Sequence, residues 1–86
     1  MSPRHGPWRA KVTLHAAAQR QIDGFDTQDT IAADRAIVAI QTNPGIGELA
    51  PGRDPLREYR EPDTGVRVVY FIAEFGSHVI IAYIEA

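Results

Sequence analysis

Arg67 stands in an otherwise apolar stretch, flanked by Val66 on one side and Val68, Val69 and Tyr70 on the other. A guanidinium is always charged and resists burial, so the strand that carries it must open onto a partner or a groove, or find an opposite charge. Glu58, Glu61 and Asp63 lie within reach across the hairpin that would precede it and could supply that charge. Glu58 is itself flanked by Arg57 and Arg60 and, as a solvated carboxylate, would balance them. Glu48 lies further upstream, in a stretch rich in glycine and proline, where a solvent-exposed loop charge is the simple reading.

Other chemistries find little support. His15 precedes a helical stretch and His78 follows a turn, and neither has a second histidine at metal-ligand spacing, so no metal site is expected. The segment GIGELAPG has glycines but lacks both the strand–Gly-x-Gly-x-x-Gly–helix context and the lysine of a phosphate loop; no nucleotide site or other cofactor is expected.

The elements that must position Arg67 are legible from periodicity. Residues 8–14 alternate as a half-buried strand, with Trp8, Ala10, Val12 and Leu14 on one face. HAAAQRQIDGF predicts a short helix closed by Gly24, with Phe25 returning to the core. Asp26 or Thr27 can cap a second helix, in which Ala33, Ala36, Ile37 and Ile40 form an apolar face and which Asn43-Pro44 ends. Residues 44–55 predict a loop, and residues 56–61, 66–74 and 78–85 predict an antiparallel meander with turns at PDTG and FGS. The order β-α-α-β-β-β predicts an α+β domain, an N-terminal strand and a two-helix hairpin packed on an antiparallel sheet. Residues 8–86 are expected to form this single domain, and residues 1–7, with Pro3, Gly6 and Pro7, to be a mobile tail.

Bulk composition sets the remaining bounds. With 86 residues, 44% of them hydrophobic, the chain has material for one core, which on size scaling buries about 60–65% of the unfolded surface. The absence of cysteine excludes disulfides and thiolate metal sites and is compatible with a reducing cytoplasm. No apolar run reaches the ~20 residues of a membrane span, and the N-terminus lacks a signal-peptide core, so a soluble cytoplasmic protein is expected. A formal net charge of −2 argues against strong nonspecific nucleic-acid binding while leaving room for a local basic patch. The last two strands are apolar on both faces, so the face away from the helices is expected to meet a partner, another protein or a second copy of this chain.

The hairpin reads L-x-x-Y-R…G-x-R-V-V-Y at Leu56, Tyr59, Arg60, Gly65, Arg67, Val68, Val69 and Tyr70. With the Asn43-Pro44 boundary and the order of elements, the chain from Trp8 onward resembles the RelE/ParE toxin superfamily of bacterial type II toxin–antitoxin systems. The resemblance implies the RelE-like fold and a toxin that inhibits translation as an endoribonuclease, an mRNA interferase. Its partners would be a cognate antitoxin, the ribosome and messenger RNA. In that reaction the 2′-hydroxyl attacks the neighbouring phosphate, which requires a base, an acid and positive charge at the phosphate.

The resemblance matches Arg67 to the family's phosphate-contacting strand arginine, and a planar fork of five donors suits that anion. A gapless match lays the alternate basic residues of the preceding strand onto Glu58 and Arg60: Arg60 keeps the charge, while Glu58 reverses it and offers a base instead. Glu48 falls in the loop where some relatives hold a catalytic carboxylate. Arg57, Tyr59 and Tyr70 are the remaining expected RNA contacts, the tyrosines by stacking on bases, with core packing as the alternative for Tyr70. Active nucleases of the family continue past the last strand into a segment with another arginine and an acid, whereas this sequence stops at Glu85-Ala86. That difference and the acidic balance raise a second expectation: a ParE-like gyrase-binding protein, or a catalytically degenerate one that acts by binding its antitoxin or another protein.

Overall fold

The computed structural model describes residues 9–86, so the expected tail and Trp8 lie outside the described residues. Strand β1 (Lys11–Leu14) follows its alternation: Val12 and Leu14 pack against the core while Lys11 and Thr13 face solvent. Helix α1 (Ala16–Asp23) begins after His15, whose backbone is extended and whose side chain makes no capping bond. Helix α2 (Thr27–Thr42) has a true cap, because the Asp26 carboxylate accepts the Asp29 amide at 2.7 Å, which satisfies one of the helix's free N–H groups. Ala32, Ala33, Ala36 and Ile40 are buried along one stripe, with Ile37 at its margin. The small alanines let α2 lie close to the sheet.

Five strands form one sheet in the order β1-β5-β4-β3-β2. Strand β2 (Glu48–Leu49) lies inside the expected loop, after a 3-10 turn at Pro44–Ile46. β3 (Arg57–Arg60), β4 (Arg67–Ala73) and β5 (His78–Glu85) make the expected meander. The α+β class and the order of elements are as the sequence predicts, with two refinements. β2 adds an edge strand, and β1 joins β5 in parallel, Lys11 opposite His78 and Leu14 opposite Ile81, so the sheet is mixed rather than purely antiparallel. The two helices carry the chain from β1 to the far edge at β2, and the antiparallel run β2-β3-β4-β5 returns it to β1 in the parallel sense.

Tyr70, Ile40, Ile81, Ile84, Val66, Val68 and Val79 are the largest fully buried side chains, and with the alanines of both helices they make one core on one face of the sheet. The opposite face of β4 and β5 carries Val69, Phe71, Ile80 and Tyr83. No described helix covers it, and Phe71 and Ile80 are only partly buried there. Two turns tie the meander. At PDTG, Gly65 takes φ 78°, a left-handed conformation that glycine tolerates. The turn into β5 passes through Glu74, Phe75 and Gly76, all with positive φ.

Candidate functional site: the face of the sheet opposite the helices

Ladder register decides which side chains share a face. In β3–β4, Glu58 lies opposite Val69 and Arg60 opposite Arg67; in β4–β5, Arg67 lies opposite Glu85 and Val69 opposite Tyr83; in β2–β3, Glu48 lies opposite Glu58. Directly opposed residues project to the same side. Glu48, Glu58, Arg60 and Arg67, four residues expected to carry chemistry, therefore converge on the face away from the helices, together with Tyr83 and Glu85.

Arg67 is the centre of this group. Its Nε lies 3.0 Å from Glu58 Oε1 and its Nη1 2.8 Å from Glu85 Oε1. The Tyr83 hydroxyl donates to the other Glu85 oxygen at 3.1 Å. The hydrogen bond that Arg67 donates to Glu58 raises the already high guanidinium pKa, burial opposes this, and Glu85 adds to the rise, so Arg67 is a permanent cation. The opposite charge comes from Glu58, which the sequence suggests, and from Glu85, which it does not; Glu61 and Asp63 serve elsewhere. Arg60, more exposed, donates Nη1 to the Gly65 carbonyl at 3.1 Å across the hairpin. Glu48 and Glu58 are like charges in direct opposition, an arrangement that costs stability, and Arg67 offsets it for Glu58. Beside them a cleft of about 400 Å³ opens between β2 and β3, lined by Ile46, Glu48, Leu49, Glu58 and Arg60.

Of the other three expected RNA contacts, Tyr59 also borders that cleft, while Arg57 and Tyr70 lie on the helix side of the sheet. Tyr70 is fully buried, its hydroxyl donating to the Pro44 carbonyl at 2.6 Å and accepting the Gly47 amide at 2.9 Å. Its ring has no free face for a nucleotide, and burial pushes its pKa up. Tyr59 packs against the core. Arg57, opposite Tyr70 in the ladder, donates Nη1 to the Gly47 carbonyl at 2.8 Å. The physical reason is period 2: Arg57 and Tyr59 alternate with Glu58 and Arg60, so they point to the helix side. Arg57 and Tyr70 fasten the loop before β2 to the sheet rather than line the Arg67 face.

Tyr83 and Glu85 escape the sequence reading because of a bulge. Val69 pairs with Tyr83 but Tyr70 pairs with Ile81, leaving Ala82 as an extra residue on β5. Alternation counted forward from the buried Val79 and Ile81 would put Tyr83 and Glu85 in the core; the bulge reverses the face. The usable signal is chemical, since a terminal glutamate two residues after a tyrosine fits poorly on a core-facing row.

No protein-family model and no curated protein sequence matches the chain. Solved structures do. The chain is similar to one in the intact Escherichia coli RelBE toxin–antitoxin complex, with TM-score 0.73 and 13% identity over 87% of this chain and 93% of that one. It is similar to one in the Mycobacterium tuberculosis RelBE2 toxin–antitoxin complex, with TM-score 0.73 and 17% identity over 91% of each chain. Isolated E. coli RelE toxin superposes with TM-score 0.73 and 13% identity over 87% of this chain and 81% of that one. At such identities the likeness is one of fold, and the fold is that of RelE, as the hairpin motif implies.

Proposed function

We propose that this chain is the toxin component of a type II toxin–antitoxin module and that it acts in the cytoplasm by cutting messenger RNA on the ribosome. The observation that carries the reading is a RelE fold presenting Arg67 and Arg60, with carboxylates beside them, on a face that no described helix covers. In this reading Arg67 and Arg60 stabilise charge on the scissile phosphate. Glu58, or Glu48 opposite it, takes the proton of the attacking 2′-hydroxyl, and Tyr83 takes the role of acid toward the leaving 5′-oxygen. The solved neighbours that are complexes with antitoxins support a cognate antitoxin as the partner of this chain as well.

A second reading, a ParE-like gyrase binder or a degenerate toxin acting by binding alone, draws on one observation. On this face Glu48, Glu58 and Glu85 outnumber Arg60 and Arg67 by three to two, and Arg67 is held by two of those carboxylates. Induced expression in a bacterium lacking the partner separates the readings. Messenger cutting predicts that incorporation of labelled methionine collapses before plasmid supercoiling changes, and that Arg67→Ala restores it. The reverse order of events favours gyrase, and normal growth with normal incorporation sinks the toxin reading.

A further inference from the structure

The guanidinium that the proposed function assigns to a phosphate is already occupied by anions of its own chain. Two of its three nitrogens are engaged, Nε by Glu58 and Nη1 by Glu85. The two carboxylates are held differently. Glu58 lies within β3, between the ladders to β2 and β4. Glu85 is the last residue of β5, its side chain is 51% exposed, and its contacts are those to Arg67 and to the Tyr83 hydroxyl. A carboxylate at a strand end, half in water, rotates away without disturbing the ladder behind it.

A carboxylate and a phosphate present the same thing to a guanidinium, a pair of anionic oxygens matched to a planar fork. We propose that Glu85 is a built-in competitor. In the free protein it occupies the Nη1 edge of Arg67 and the hydroxyl of Tyr83, and an RNA phosphate binds by displacing it and taking over both donors. This inference rests on the reading of Arg67 as the phosphate contact. The surroundings suit an exchange of this kind. A cleft of about 430 Å³ adjoins the group, with Leu56, Val69 and Ala82 among its walls and Arg53 at its rim, giving space to the incoming sugar-phosphate. Displacement also corrects the charge: once Glu85 has swung into water, the face is left with two carboxylates and two arginines.

The test is binding of a short 2′-O-methyl RNA oligonucleotide, which has no attacking hydroxyl and stays intact, followed by fluorescence anisotropy at fixed low salt. Glu85→Gln should bind about tenfold more tightly than the unaltered protein, the scale of one charge-assisted pair. The gain should vanish when Arg67→Ala is added and shrink when Tyr83→Phe is added. Glu74→Gln removes an equal charge at the other end of β4 and should leave affinity within about twofold, the small effect of a distant, screened charge. If Glu85→Gln binds no better than Glu74→Gln, the competitor role is overturned, and a loss of affinity in Arg67→Ala would then leave the phosphate contact standing without it. If Arg67→Ala binds as well as the unaltered protein, the phosphate contact falls and the competitor with it. Thermal melts of each variant establish that the fold is intact, as expected for an exposed strand-end side chain.

Discussion

Tyr70 shows at the scale of one residue how a motif position can be structural. The tyrosine closes the L-x-x-Y-R…G-x-R-V-V-Y pattern three residues after Arg67, yet its hydroxyl bridges the Pro44 carbonyl and the Gly47 amide inside the core. Replacing it with phenylalanine keeps the ring and strands both backbone groups. Tyr70→Phe is expected to lower stability by about 1–3 kcal/mol, the cost of leaving buried partners unsatisfied, measured as a shift of the urea midpoint. An unchanged midpoint would mean that water replaces the hydroxyl. Arg67 is the contrasting case. Its need for an opposite charge follows from its type alone, and the structure supplies Glu58 as the sequence suggests; Glu85 becomes visible only once the β5 bulge is known.

Glu61 is the second residue whose charge is put to structural use. It is 4% exposed and accepts from the Thr64 hydroxyl at 2.8 Å, the Thr64 amide at 3.0 Å and the Asp63 amide at 3.3 Å, which together fix the β3–β4 turn. Burial alone would raise its pKa, but those hydrogen bonds and the nearby Arg35 outweigh burial and hold it below the usual carboxylate range. A depressed folded-state pKa gives stability that is complete above the unfolded value of about 4.3 and is lost as pH falls through the folded value. The melting temperature of Glu61→Gln should therefore lie below that of the unaltered protein at neutral pH, with the gap narrowing as pH drops below about 4, the carboxylate's own titration range. A gap that stays constant down to about pH 3, past the unfolded carboxyl's titration, would contradict a role for the charge.

At the scale of elements, the segment between α2 and β3 is where sequence and structure differ most. Gly47 sits where a Cβ would come within 2.7 Å of the Tyr70 hydroxyl, 2.9 Å of its Cε1 and 3.0 Å of the Glu58 carbonyl. Its φ of −77° is ordinary, so the constraint is the close approach of the β2 segment to the sheet. Gly47→Ala should cost about 1–3 kcal/mol, as overpacking does, and should move β2, which hydrogen exchange at Ala50 and Leu56 would report. Exchange unchanged from the unaltered protein would show that β2 tolerates the methyl group.

The two helices and the three-strand meander were legible because each rests on a local signal: the Asp26 cap, the alanine-rich stripe, the turn residues at PDTG and FGS. β2 was not, since two residues carry no periodicity and its pairing is imposed by Arg57 and Tyr70 from elsewhere in the chain. The parallel pairing of β1 was hidden for the same reason, being a relation between the two ends of the domain.

For the whole molecule, the two faces of the sheet divide the labour. One builds the core with α1 and α2; the other, with Val69, Phe71, Ile80, Tyr83 and the Arg67 group, is open to a partner. The sequence expects a second cover over the apolar β4 and β5 rows, and no described helix supplies it. The chemistry of that face, a cation between carboxylates rather than a basic field, accords with a net charge of −2; in the proposed function it acts on a phosphate that the ribosome positions, and its affinity for free RNA is accordingly weak and best read at low salt. The most direct measurement of that claim uses ribosomes stalled on a defined messenger, purified protein in excess, and primer extension to map the 5′ ends produced. The account predicts a cut within the codon in the ribosomal A site, slowed by about 10²-fold or more in Arg67→Ala, the usual loss when a single charge-stabilising donor is removed. An intact messenger at saturating protein, or a cut that Arg67→Ala makes equally fast, would contradict it.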